Sequence, residues 1–267
     1  MLNNYRSALI TGGSSGIGFK LAMKLAELEL KLILVSENKE QLTFAKNEIL
    51  IQFPGCDVEV MCHDLSDENA VNDLCTKVGQ LDTDIDILVN NAGFATWGNI
   101  LDTDNDKERS MISLMIDGTY SLTRYFLSQM VSKDKGCIVN VSSIAAFQPN
   151  PTLATYGACK SWIYNWTRSI SEELSELGSR VQCIAVCPTP VRTNFQKSAA
   201  MDDLKLFDSP FTVDPDDVVD GIIRAIKSRR SRMVPVRWLE MVQKITQRFP
   251  ESWRIWIGKK MLERKDA

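Results

Sequence analysis

The sequence predicts a single α/β domain, a Rossmann-type doubly wound parallel sheet with helices on both faces. Two observations carry this. Short β-type runs alternate with longer segments whose apolar residues recur at i, i+3 and i+4. No linker-like stretch breaks that alternation before about residue 190. Strands separated by helices of this length need crossover connections, and crossovers produce a parallel sheet covered on both sides.

The elements follow in order. "YRSALIT" (5–11) reads as a buried strand and "FKLAMKLAELE" (19–29) as the helix after it. "KLILVS" (31–36) leads to the helical pattern "KEQLTFAKNEILIQF" (39–53), and "DVEVMCH" (57–63) leads to "ENAVNDLCTKVGQL" (68–81). "DILVNN" (86–91) is the fourth strand. "SLTRYFLSQMVSK" (121–133) is helical, and "GCIVNVSS" (136–143) and "RVQCIAVC" (180–187) complete the predicted strands. Ligands of such open sheets bind beyond the carboxyl ends of the strands. Residues 1–236 are expected to form this one domain, with 237–267 a basic, amphipathic extension.

The composition, 267 residues with 44% hydrophobic and 24% charged, leaves room for one large α/β domain. No apolar run approaches the ~18 residues that span a bilayer, and the N-terminus lacks the regions of a signal peptide. A cytoplasmic location is therefore expected, with peripheral attachment to a membrane surface as a further option. Seven cysteines without a C-x-x-C suit buried thiols in a reducing compartment better than disulfides or zinc. The sole histidine, His63, reads as a strand-end structural residue, so no metal centre is expected. Charge is uneven: residues 221–267 hold 13 Lys/Arg against 4 Asp/Glu, leaving 18 against 30 in the rest. This hints at an anionic partner for the tail or simply a solvated basic face, and a nucleic-acid role has no other support.

"TGGSSGIG" (11–18) joins the first strand to the first helix. Glycines at 12, 16 and 18 allow a tight turn and close approach of backbone N–H groups to a diphosphate at a helix N-terminus. The spacing is neither G-x-G-x-x-G nor a P-loop, and an ordinary glycine-rich turn also fits. In "YGACK" (156–160), a phenol and an ammonium stand at i and i+4 on one helix face. The ammonium of Lys160 would favour phenolate and draw the Tyr156 pKa toward neutrality.

Together with "NNAG" (90–93) after the fourth strand and "VNVSS" (139–143) at the fifth, this set resembles the short-chain dehydrogenase/reductase family from about Tyr5 to Thr193. The resemblance implies an alcohol dehydrogenase or carbonyl reductase in which Tyr156 is the general acid–base. Ser143 would hydrogen-bond the substrate oxygen, and Lys160 would bind the nicotinamide ribose and tune the phenol. It also implies a cofactor cradle of Gly12, Ser14, Ser15, Gly16, Ile17 and Gly18. Asp64 and Leu65 would lie at the adenine, with Asn91, Ala92 and Gly93 beyond the fourth strand. Pro188, Val191 and Thr193 would hold the carboxamide. Two residues depart from the family pattern. Met115 of "MIDG" (115–118) takes the place of an asparagine that holds a relay water, and Thr189 of "CPTPVRT" (187–193) replaces a glycine.

Glu37, just after the second strand in "LVSEN", would repel a 2′-phosphate and accept from ribose hydroxyls, so NAD is favoured, with NADP possible. The register is open, because the family's NAD-type Asp usually falls where Ser36 stands, and Lys39 is near. "SAAMDDLKLFDSPFT" (198–212) suits a mobile lid over an apolar alcohol or carbonyl substrate, or an ordinary amphipathic helix. "WLEMVQKITQRF" and "SWRIWIGKKML" place tryptophans on basic amphipathic segments that would lie in a membrane interface, cap the domain, or join two subunits. A homodimer or homotetramer is expected. A catalytically silent nucleotide-binding protein of the same fold is the alternative, motivated by Met115 and Thr189.

Overall fold

The computed structural model describes residues 2–265 except Asp82 and Asp202. Asp202, inside the predicted lid segment, and residues 266–267, at the end of the predicted extension, thus lie outside the described residues. The elements in chain order are β1 (Ser7–Thr11), α1 (Gly16–Glu27), β2 (Lys31–Ser36), α2 (Lys39–Gln52), β3 (Val58–Cys62), α3 (Glu68–Gly79) and β4 (Ile87–Asn90). They continue with α4 (Asn105–Ile112), a π-helical turn (Ser113–Gly118), α5 (Thr119–Ser132), β5 (Cys137–Val141), α6 (Ala154–Glu176) and β6 (Gln182–Val186). The last are α7 (Phe195–Ser198), α8 (Pro215–Lys227), β7 (Arg232–Met233), α9 (Arg237–Thr246) and α10 (Glu251–Met261).

The strands form one parallel sheet in the order β3-β2-β1-β4-β5-β6-β7. Period-two alternation divides their side chains between two apolar layers. Ala8, Ile10, Ile87 and Val89 face the layer built by α1, α2 and α8, which includes Leu21, Leu25, Leu42 and Ile222. Leu9, Leu88 and Ile138 face the layer of α3, α5 and α6, which includes Leu74, Phe126 and Ile170. Both layers are apolar and cover the sheet, and this accounts for strands that read as near-continuous apolar runs.

Local chemistry sets the helix starts. Asn38 accepts from Gln41 N–H at 2.9 Å, Asp67 from Asn69 N–H at 2.9 Å, and Asp104 from the N–H groups of Asp106 and Lys107. Asp214 and Asp217 form a capping box with Pro215 at the first turn of α8.

Six predicted strands are present; β2 keeps its predicted bounds, β1 starts two residues later, and the other four are shorter by one or two residues at each end. The seventh, β7, was not predicted. Two residues cannot show alternation, and β7 exists because Ala185 and Cys187 donate to Ser231 and Met233 carbonyls at the sheet edge.

The C-terminal segment folds back on the body. Leu239 of α9 is buried in the main core. Leu262, just after α10, is buried with Met201 and Leu204, and a short antiparallel bridge joins Leu204 to Arg264.

Candidate active site

The strand order reverses between β1 and β4, and a cavity of about 1730 Å³ opens beyond the carboxyl ends of the strands there. Its wall includes Gly12, Ser14, Ser15, Gly16 and Ile17 from the first loop and Ser36 and Glu37 after β2. Asp64 and Leu65 follow β3, and Asn91, Ala92 and Gly93 follow β4. Ser143, Tyr156 and Lys160 line it too, as do Pro188, Thr189, Val191 and Thr193. The sequence-predicted residues therefore converge on one space. Gly18 is the exception, buried behind it.

Gly18 is fixed by contact. A Cβ there would fall 2.3 Å from the Gly12 carbonyl oxygen. Gly12 itself sits at φ +61 with the Asn91 amide packed against it. Ser15 occupies the N-cap of α1 without a side-chain cap bond, so the first-turn N–H groups keep their hydrogen-bonding capacity for an anion. The neighbouring loop is tied down by Thr11. Its hydroxyl accepts from Asn91 N–H at 2.9 Å and Ala92 N–H at 3.0 Å, and the Asn91 amide donates to the Thr11 carbonyl at 3.0 Å. These features fit a dinucleotide: the donors lie at a helix N-terminus, and side chains are missing where backbone must approach.

Behind the sheet ends runs a buried polar chain. Asn90 donates to Thr123 Oγ1 at 2.9 Å and to Asn140 Oδ1 at 2.8 Å, and Asn140 donates to Thr167 Oγ1 at 2.9 Å. It locks β4 and β5 to α5 and α6. Ser142 Oγ donates to the Lys160 carbonyl at 2.7 Å, fixing α6 against the end of β5. From the other side, Glu108 of α4 accepts from Thr155 and, at 2.9 Å, from Thr96. Burial pushes that carboxyl up, but the hydroxyl donors win and hold it below the usual range. Thr155 precedes Tyr156, so three elements position the phenol.

Tyr156 is half-buried, its ring 5.8 Å from that of Phe195. Lys160 is buried, donates from Nζ to the Val141 carbonyl at 2.8 Å, and stands 5.6 Å from the phenol ring centre. The phenol is pushed up to about 12, chiefly by burial, with the Ser143 hydroxyl opposing and Cys159 adding. Lys160 is pulled down to about 8, again chiefly by burial. The direction at Tyr156 is opposite to the expected drop toward neutrality: burial raises the phenol, and the Ser143 hydroxyl offsets only part of that rise.

Met115 is fully buried in the π-helical turn, and its Cε lies 2.6 Å from where a Gly93 Cβ would stand. Thr189 Oγ1 is buried without a partner among the described residues. Val191 and Val213 form a parallel bridge that steadies the loop after β6. His63 hydrogen-bonds Asp73 at 2.8 Å through Nε2, and it also lines the cavity near Asp64.

The family model described as short chain dehydrogenase matches residues 6–203. The chain belongs to the short-chain dehydrogenase family. An uncharacterized oxidoreductase of Staphylococcus epidermidis is 33% identical over 178 residues, 67% of this chain and 75% of that protein. A short-chain dehydrogenase from Sphingobium yanoikuyae, solved in complex with NADPH, superposes with a TM-score of 0.79 at 26% identity, covering 92% of this chain and 97% of that one. A family member from Burkholderia phymatum, solved in complex with NAD, has the same fold, with a TM-score of 0.79 at 21% identity, covering 90% and 92%.

The sequence reading missed Thr11, Ser142 and Glu108, which hold the site from behind. Glu108 had no local signal, because its partner Thr155 is 47 residues away.

Proposed function

We propose that this short-chain dehydrogenase is a nicotinamide-dependent alcohol dehydrogenase or carbonyl reductase for an apolar small molecule, with Tyr156 as general acid–base. The observation that carries it is the meeting of Ser143, Tyr156 and Lys160 on the wall that also holds the glycine loop. When bound, the dinucleotide supplies the hydride donor or acceptor. The first turn of α1 receives the diphosphate, Asp64 and Leu65 flank the adenine, and Asn91, Ala92 and Gly93 line its path. Pro188, Val191 and Thr193 hold the carboxamide.

Ser143 donates to the substrate oxygen and stabilises charge developing there. Tyr156, whose pKa of about 12 keeps it protonated at neutral pH, gives its proton to that oxygen during reduction and regains one afterwards. Lys160 holds the ribose and supplies positive charge beside the phenol. Met115 has no hydrogen to donate, so proton return follows a route other than a water held at that position, and turnover is slowed accordingly. Phe195, Met201, Leu206, Phe207 and Leu262 give the substrate end of the cavity its apolar character.

NAD is favoured over NADP. Glu37 is exposed on the cavity rim beside Ser14, Ser36 and Gln41, and no cation lines the wall at that rim among the described residues. A 2′-phosphate there would face a carboxylate.

The test is a panel of alcohols and carbonyls followed by NADH and NADPH fluorescence, with Tyr156→Phe as control. Turnover lost in that variant while the cofactor still binds supports the reading. An inactive wild-type protein that binds cofactor would instead favour a non-catalytic nucleotide-binding role, the reading that buried Met115 supports.

A further inference from the structure

Sixteen large hydrophobic side chains are exposed among the described residues, and seven of them fall within the twenty residues 238–257. They are Trp238, Met241 and Ile245 on α9, Phe249 in the turn, and Trp253, Trp256 and Ile257 on α10. Scattered exposed apolar residues are normal, but a cluster of this density is not. The three tryptophans are 45%, 62% and 63% exposed, so packing within the chain, which for Trp238 includes the Phe211 ring at 5.8 Å, leaves much of each uncovered.

The same helices also turn apolar residues inward: Leu239 is buried in the core, and Val242, Ile257 and Met261 line the cavity. The apolar stripe is therefore wider than the contact with the body, and its outer part, Trp238, Met241, Ile245, Trp253 and Trp256, is left facing water.

Charge indicates what covers that outer part. Lys244, Lys259 and Lys260 are exposed on these helices and Arg248 in the turn between them, and Arg248 and Lys259 make no ion pair among the described residues. The remainder of the chain is acidic. Two copies meeting through this face about a two-fold axis would set like charges against each other. A layer of anionic headgroups over acyl chains satisfies both the bases and the tryptophans. No helix among the described residues is long and apolar enough to cross a membrane.

We propose that the outer face of α9 and α10 is a peripheral docking surface for anionic lipid, lying in the plane of the membrane interface. This binding needs neither cofactor nor turnover, so it stands or falls apart from the catalytic reading.

The full chain is floated with phosphatidylcholine vesicles, with and without phosphatidylglycerol, at low and high salt. Flotation with the anionic vesicles at low salt, loss at high salt, and a blue shift in tryptophan emission are expected. Trp253→Ser/Trp256→Ser and, separately, Lys259→Glu/Lys260→Glu should each weaken binding roughly tenfold or more without changing the melting temperature. Protein that stays at the bottom of the low-salt gradient overturns the proposal. So does equal binding to neutral vesicles, or a dimer in solution that the tryptophan variant dissolves.

Discussion

At Tyr156 and Lys160 burial outweighs every other influence on each group. The fall of Lys160 from its ordinary 10.5 to about 8 corresponds to a penalty on the order of 3 kcal/mol for holding the ammonium in this site. Its single bond to the Val141 carbonyl returns only part of that. The pH consequence has a definite sign. Between about 8 and 10.5 the unfolded chain binds more protons than the folded one, so folding stability rises with pH across that window. Tyr156 adds nothing below 10, where it is protonated in both states, and opposes stability only above that. Melting temperatures of wild type minus Lys160→Met should therefore climb from neutral pH toward pH 10. A flat difference would mean that the ammonium is solvated. In cofactor binding, Tyr156→Phe should be nearly silent while Lys160→Met should be impaired, because only the lysine is assigned to the ribose. Glu37→Arg should move preference toward NADP(H), read as the ratio of the two dissociation constants.

Elements carry constraints that no single residue shows. The first loop and α1 form one unit because the Gly18 Cα lies against the Gly12 carbonyl. Gly18→Ala should abolish dinucleotide binding or folding, whereas Gly55→Ala, with nothing within 4 Å of its Cβ position, should leave both intact. Thermal melts with and without NAD distinguish the two. Much of this level was legible beforehand. Six strands were readable because parallel strands buried on both faces are written as apolar runs. Ser143, Tyr156 and Lys160 were readable because one strand end and one helix face fix their spacing. The element β7 was not readable, since its pairing depends on Ser231 and Met233 reaching β6 across the chain. Glu108, Thr11 and Ser142 escaped for the same reason: each acts through a partner distant in sequence or through a backbone atom. For α9 and α10 the sequence admits three readings: a membrane interface, a cap on the domain, or a subunit contact. The structure folds both against the body, yet leaves their tryptophans outside.

Across the whole molecule, the C-terminal segment and the sheet share one core. Removing everything after Pro235 takes away Leu239 and Leu262, both buried, and should lower the melting temperature by several degrees. An unchanged melt would mean that α9 and α10 add nothing to stability. The seven thiols have a consequence of a different kind. All are free; Cys75, Cys137, Cys159, Cys183 and Cys187 are buried, with burial pushing each thiol up, while Cys62 lies exposed beside the Glu37 carbonyl. A thiol reagent should thus meet Cys62 quickly, the half-buried Cys56 more slowly, and the five buried thiols only when the fold opens. The slow phase works as a built-in clock for global opening, and saturating dinucleotide should lengthen it in proportion to how tightly it binds. The chain thus carries, without any introduced label, a reporter of its own ligand affinity.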